Sequence, residues 1–413
     1  MYDLAIIGAG AAGIASAKHA LKHGLKTVLF DTEKDTFGGT CLNHGCIPAK
    51  FLINSSKLHK SWPDSFKQKN DVVNKIKKAT FDYLEKVGIK TVWARVSFLS
   101  TNTLMANGEK IEAKNIIIAT GSRPKPLFSH PKAIFAEELF SKENIGENFL
   151  IVGAGYIGIE LASLLNNLNK HVTVVEKEEN ILPFFDKNIT SRLRILLEKK
   201  GLKIDTASDV KNYNLAGFDN VILSVGRQPN IESLDIEKTG IFFDKGGWIK
   251  TDSAMRTNVE NIYACGDVVG KKLLAYIAEY QAKICIGNIM GEKVEEDYKG
   301  IADCVFSLPS VAKVGILEEE AKAMNLKYKC LKSNFFRFSS SYVYDDQEGF
   351  MQVLVDQEDR IIGAGIISLF SAELISIFSH AIRNNLKVDM LRNCVFVHPT
   401  LSEIIPALLN ELP

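Results

Sequence analysis

"DLAIIGAGAAGIASAKHALKHGLKTVLFD" (residues 3–31) and "NFLIVGAGYIGIELASLLNNLNKHVTVVE" (residues 148–176) are two versions of one pattern. Each runs from an apolar strand into Gly-x-Gly-x-x-Gly, then through apolar residues at helical spacing, then into a second apolar strand. Each ends in an acid, Asp31 or Glu176, eighteen positions beyond its third glycine. Gly8 and Gly153 permit a tight turn, and Gly10 and Gly155 let the backbone approach a pyrophosphate. Gly13 and Gly158 let helix and strand pack closely. The helix N-terminus then meets phosphate charge, and the terminal acid accepts hydrogen bonds from ribose hydroxyls. One such turn is a weak signal, because glycine turns also arise for packing alone. Two copies with matched strands, helices and acids predict two dinucleotide-binding units.

The echo continues in "NIIIATGSRP" (115–124) and "NVILSVGRQP" (220–229), each a buried strand followed by a glycine turn. The first unit carries extra chain, including a lysine-rich helical region (51–88) and strands in which Asn107-Gly108 signals a hairpin. Beyond Gly226, "TNVENIYACGDVVG" (257–270) reads as an apolar strand ending in Asp267, with a helical stretch at 273–290. From about residue 300 the strands "CVFSL", "AKVGIL", "FMQVLVD" and "RIIGAGIIS" mix with helical stretches at 318–325, 371–385 and 401–410. No dinucleotide turn occurs there. The fold class is therefore α/β, with two Rossmann-like dinucleotide-binding domains and an α+β C-terminal domain.

The 413 residues suit two to three domains, and 50 Lys+Arg against 49 Asp+Glu give no reason to expect a nucleic-acid or membrane-surface partner. The apolar run "IIGAGIISLF" (361–370) falls well short of the ~20 residues that span a bilayer. "MYDLAIIGAG" begins a strand at once, so we expect no signal segment and a cytoplasmic, reducing location. Seven cysteines, an odd number spread over a long chain, are not a disulfide framework.

Two of them are close together in "GGTCLNHGCIPAK" (38–50). A zinc clip needs a second close pair of ligands, which the chain lacks, so no metal is expected. A static staple suits a reducing compartment poorly. Cys41 and Cys46 stand too far apart along a regular helix to bond, but Asn43, His44 and Gly45 supply an irregular turn. Pro48 is at home in a helix's first turn, which places Cys46 at the positive end of that dipole. A redox dithiol is the best of the three readings.

With two GxGxxG units, this dithiol stretch, "YACGD" (263–267) and "HPTLSE" (398–403), the whole chain resembles the pyridine nucleotide–disulfide oxidoreductases. Its dithiol motif is most similar to that of the lipoamide dehydrogenase branch. The resemblance implies an FAD-binding domain at 1–145 and 259–299, an NAD-binding domain at 146–258, and a dimerisation domain at 300–413. It places Gly8, Gly10, Gly13 and Asp31 on FAD, with Gly39, Thr40 and Lys50 along the flavin and Thr120 and Gly121 beside the dinucleotide. Asp267 falls on the ribitol, and backbone contacts fall on Leu274 and Ala275. Cys46 would be the thiol against the flavin, and Cys41 the outer thiol that meets substrate. Lys50 would pair with Glu160; by themselves, both read as ordinary helix-surface charges. His398 matches the family's base and Glu403 its orienting carboxylate, contributed across a homodimer boundary. Gly153, Gly155, Gly158, Glu176 and Gly226 would hold NAD, with Val210 on one wall. An acid at 176 favours NAD over NADP, because a 2′-phosphate would meet like charge, although Lys177 opposes it.

The sequence also departs from the family. "TASDVKNYNLAGFD" (206–219) replaces the usual antiparallel strands, Tyr276-Ile277 stands where His-Lys is usual, and Phe396 replaces a histidine. Cys285, Cys304, Cys330 and Cys394 read as small buried hydrophobes. Seven lysines between 57 and 78 read as a solvated helix face, or as a dock for an acidic carrier domain. We therefore expect an enzyme passing electrons between NAD, FAD, the Cys41–Cys46 pair and a small dithiol or disulfide, with dihydrolipoamide or a lipoyl carrier domain first. The alternatives are an NADH-dependent reductase of another disulfide, and a flavoprotein without catalysis.

Overall fold

The computed structural model describes residues 1–412. In the first sheet, parallel strands Lys90–Trp93, Thr27–Asp31, Tyr2–Ile7 and Glu109–Ile118 lie side by side, and Ile262–Ala264 returns late in the chain to pair with the last of these. Tyr2–Ile7 is central, its Ile7 opposite both Phe30 and Ile118. A second all-parallel sheet orders Lys203–Asp205, His171–Val175, Asn148–Val152, Asn220–Leu223 and Ala133–Phe135, with Val152 opposite Val175 and Leu223. In both sheets the strand order reverses at the strand that feeds the glycine turn. That crevice, at the strands' carboxyl ends, is where an open parallel sheet binds ligands.

The glycines act as their spacing predicts. Gly8 and Gly153 have φ of 104° and 103°, a region that favours glycine. A Cβ on Gly13 would lie 1.8 Å from the Gly8 carbonyl oxygen, and one on Gly158 would lie 1.9 Å from that of Gly153. Helix Ala11–Lys22 buries Ala12, Ser16, Ala17 and Ala20, and these small side chains let helix Ala275–Ile289 pack close against it. Asn107-Gly108 forms the expected two-residue loop, with both φ positive and Ala106 paired to Glu109.

The two echoed turns meet each other. Ser122–Pro124 pairs antiparallel with Arg227–Pro229, a two-stranded tie between the nucleotide units. The remaining chain builds an antiparallel sheet ordered Asp303–Val305, Ser310–Gly315, Ile361–Ser368, Phe350–Val355 and Lys329–Asn334. Helix Ser371–Arg383 buries Leu374, Ile375, Phe378, Ala381 and Ile382 in that domain's core. No helix among the described residues is long and apolar enough to cross a membrane.

Three sequence expectations need correction. Cys394 is exposed, its thiol donating to the Met390 carbonyl, and Cys304 and Cys330 are only partly buried. Lys69, read as a solvated charge, is buried and donates to the Phe140 carbonyl; burial pushes its pKa down to about 8. Strand Lys329–Asn334 was not foreseen, because "KCLKSN" alternates too weakly to announce itself.

The two glycines of the second turn should respond differently to one methyl group. A Cβ at Gly155 meets nothing within 4 Å, whereas one at Gly158 collides with backbone. Gly158→Ala should lower unfolding stability by about 1–3 kcal/mol more than Gly155→Ala, read from paired urea denaturation curves.

Candidate active site

One cavity of about 2780 Å³ runs between the units, against roughly 300–1,000 Å³ for an ordinary small-ligand pocket. It has room for more than one large ligand. At one end its lining comprises Gly8, Gly10, Asp31, Thr120 and Gly121; at the other, Gly153, Gly155, Glu176, Val210 and Gly226. Gly39, Thr40, Cys41, Cys46, Lys50 and Glu160 also line it, as do Asp267, Leu274 and Ala275. Gly13 and Gly158 lie behind the wall, packed against the first glycine of their turns.

The dithiol stretch folds as two helices rather than one. Gly39–Asn43 forms a short first helix, and its Asn43 amide donates to the carbonyls of Thr36, Phe37 and Gly39. The chain breaks at His44-Gly45, and helix Cys46–Lys57 begins at the second cysteine, with Pro48 in its first turn. The break sets Cys41 and Cys46 close enough for each to perturb the other's pKa. The neighbouring Cys41 thiol, and then the Lys50 charge, pull the Cys46 pKa down to about 7. The Cys41 pKa is driven upward by the Cys46 thiol and by burial. Cys46 also stands at the N-terminus of its helix, a position that favours a thiolate there over one at Cys41.

Lys50, one turn into that helix, donates to Glu160 of helix Tyr156–Asn167 at 2.7 Å. The other Glu160 oxygen accepts the Phe306 backbone N–H at 2.9 Å, and the Lys50 ammonium lies 4.7 Å from the Phe306 ring centre. The pair therefore joins all three parts of the fold beside the dithiol. Sequence reading did not single out Phe306, whose contribution is a backbone group that no motif announces.

The first glycine turn is open to a ligand. The Thr120 hydroxyl is buried with no partner, an orphan that a bound polar group would satisfy. Gly121, with φ of 71°, borders open space. Asp31 accepts from Thr32 N at 2.8 Å and Thr36 Oγ1 at 3.1 Å through one oxygen, and burial pushes its pKa up. Burial likewise raises the pKa of Asp267, against the Ser122 hydroxyl at 2.6 Å and the Arg227 charge. Arg227 also grips Ser122 O and Glu137, a network foreshadowed by the echoed "GSRP" and "GRQP". The N-terminus of helix Ala275–Ile289, capped by Leu274, opens on the same space. These groups suit a flavin dinucleotide: a glycine cradle, a free hydroxyl, two carboxylates for hydroxyls and a helix N-terminus.

In the second turn, Glu176 accepts from Ala154 N at 2.6 Å and Glu178 N at 2.9 Å, which fixes its carboxylate at the mouth of the cradle. "TASDVKNYNLAGFD" forms two single-turn helices, Val210–Asn212 and Leu215–Gly217. Val210, Tyr213, Leu215 and Phe218 pack beneath the sheet, closing that wall without the strands.

His398 and Glu403 form a separate pair. His398 Nδ1 lies 2.9 Å from Glu403 Oε1, and Glu403 Oε2 accepts Thr400 N–H at 2.8 Å. The backbone bond and then the imidazole hold the Glu403 carboxyl below its usual range. The pair does not line the cavity of its own chain, and the His398 side chain is 72% exposed. Val395 and Val397, just before it in the chain, are also exposed.

Residues 2–282 match the family described as pyridine nucleotide-disulphide oxidoreductase, and residues 301–408 match its dimerisation domain. The chain is similar to dihydrolipoyl dehydrogenase of Chlamydia trachomatis, 33% identical over 98% of this chain and 95% of that one. Dihydrolipoyl dehydrogenase of Bacillus subtilis is also 33% identical, over 97% and 94%. Among solved structures, the HOCl-induced flavoprotein disulfide reductase RclA from Escherichia coli superimposes with a TM-score of 0.94, at 27% identity and over the full length of both chains. The chain belongs to the pyridine nucleotide–disulfide oxidoreductases, enzymes that work with FAD and a pyridine nucleotide.

The assignment of the thiolate is open to measurement. Site-resolved iodoacetamide alkylation of the reduced protein should show Cys46 titrating with a midpoint of about 7. Cys41→Ala, which removes the neighbouring thiol, and Lys50→Met, which removes the charge, should each move that midpoint upward. A midpoint unmoved in both variants would contradict the geometry.

Proposed function

We propose that this protein is an NAD-dependent dithiol–disulfide oxidoreductase whose substrate is dihydrolipoamide or a lipoyl group on a carrier domain, and that it acts as a homodimer. The observation that carries the reading is the placement of Cys41, Cys46 and the Lys50–Glu160 pair between two glycine cradles in one cavity. The relatives named dihydrolipoyl dehydrogenase support the choice of substrate.

In the direction of dithiol oxidation, His398 of the partner subunit takes the proton of one substrate thiol, with Glu403 orienting the imidazole. That thiolate attacks the Cys41 sulfur, the Cys41–Cys46 bond breaks, and Cys46 leaves as thiolate. The low pKa of Cys46 makes it the better leaving group. His398 passes its proton to the leaving Cys41 sulfur and takes that of the second substrate thiol, which attacks its neighbour's sulfur and leaves substrate as disulfide and Cys41 as thiol. Bound FAD supplies the two-electron chemistry that links the dithiol to NAD. Lys50 and Glu160 keep a neutral, fixed pair beside the dithiol, and Glu176, its carboxylate fixed by Ala154 N–H, would accept from the adenosine ribose hydroxyls of NAD.

The exposed His398 and its apolar surroundings support a dimer in which each copy completes the other's site. A second reading, NADH-driven reduction of another disulfide, is favoured by Tyr276, which stands in the cavity where lipoamide dehydrogenases usually have histidine.

Purified protein should oxidise dihydrolipoamide with NAD, and should prefer NADH to NADPH in the reverse direction by kcat/KM. Absence of dihydrolipoamide turnover, with NADH-driven reduction of other disulfides intact, would favour the second reading. His398→Gln should slow dithiol turnover by about 10²–10⁴-fold. Cys41→Ser should abolish it. Co-expression of these two variants should recover activity, because a mixed dimer holds one complete site. No recovery in isolated mixed dimers would refute the shared site.

A further inference from the structure

Asp267, on the wall of the cavity, has one oxygen occupied and one free. Its Oδ2 accepts the Ser122 hydroxyl at 2.6 Å. Its Oδ1 takes part in no hydrogen bond among the described residues, and the side chain keeps 24% of its surface exposed.

Arg227 belongs to the second glycine unit, directly after Gly226, yet most of its guanidinium is turned to this wall of the first. Its Nε donates to Ser122 Oγ at 2.7 Å and lies 3.9 Å from Asp267 Oδ2. Its Nη2 donates to the Ser122 carbonyl at 2.8 Å, and its Nη1 to Glu137 Oε1 at 2.9 Å. Both Arg227 and Ser122 are largely out of water, and the antiparallel pairing of Ser122–Pro124 with Arg227–Pro229 fixes the backbone beneath them. The chemistry sets the direction of the chain of bonds. A guanidinium can only donate, so Ser122 Oγ accepts from Arg227 and turns its own proton to Asp267. Burial by itself pushes the Asp267 carboxyl toward its neutral form, and Ser122 and then Arg227 oppose that.

We propose that Arg227 is a positioning residue for the flavin dinucleotide: through Ser122 it fixes the Asp267 carboxylate, leaving the free oxygen to accept a hydroxyl of that ligand. Retention of FAD then depends on a side chain supplied by the second glycine unit. A carboxylate already held at one oxygen loses little freedom when the other binds, and its bond to a hydroxyl is charge-assisted. The inference does not depend on which disulfide is the substrate.

The test is the rate at which FAD leaves the purified holoenzyme on dilution, measured as flavin absorbance in the filtrate, so no turnover is needed. Asp267→Asn and Arg227→Met should each speed release by about tenfold, the scale of one hydrogen bond to a charged group. If Arg227 acts through Asp267, the double variant should also release FAD about tenfold faster, not about a hundredfold. Ser122→Ala, a smaller change, should behave as Arg227→Met does, alone and combined with Asp267→Asn, and serves if Arg227→Met does not fold. A merely structural role for Arg227 would give independent, multiplying effects. Multiplying effects, or unchanged release in either single variant, would overturn the proposal.

Discussion

The rest of the structure depends on a contact with no side chains in it. Gly39, at the start of the dithiol stretch, sits against Gly10 of the first glycine turn so closely that a Cβ on Gly39 would lie 2.7 Å from the Gly10 Cα. Gly39 has φ of 63°, a second reason for glycine there. Only bare backbone permits this approach. It sets the two cysteines directly over the turn that opens the first cradle, so the dinucleotide and redox halves of the site are one piece of geometry.

From that contact outward, the site is secured by groups drawn from distant parts of the chain. Lys50 leaves the dithiol helix to meet Glu160, and Glu160 reaches on to the Phe306 backbone. Half-buried ion pairs add little net stability, since desolvation offsets their attraction. What this pair provides is position: a wrong separation of the three parts would leave Glu160 with unmatched charge in a partly dry place. Arg227, between Ser122, Glu137 and Asp267, does the same for the two nucleotide units at the opposite wall.

The electrostatics of the cleft follow the same economy. Most of its charges are paired side by side, so the field at the dithiol is set by few groups. The two cysteines shift each other's pKa in opposite directions, and the Lys50 charge favours a thiolate at Cys46. That separation makes unequal two residues that are chemically identical in the unfolded chain. The His398–Glu403 pair lies outside its own chain's cavity, with the imidazole exposed.

Local pattern was enough for the two nucleotide units, because each glycine's role is decided by its own turn and the helix that follows. The same holds for the hairpin at Asn107-Gly108 and for the helix that begins at Cys46: short-range sterics leave few other conformations. Strand Lys329–Asn334 and the fate of Lys69 were not legible, since neighbouring elements rather than local spacing decide them. Nor could the sequence pair Lys50 with Glu160 except through resemblance, as 110 positions separate them and each alone is an unremarkable helix charge. The free hydroxyl of Thr120 and the isolation of His398 from its own cavity are likewise facts of tertiary structure. The physical reason is common to all of them: whether a polar group is satisfied depends on what the fold brings within about 3 Å of it, and that distance is not written in sequence order.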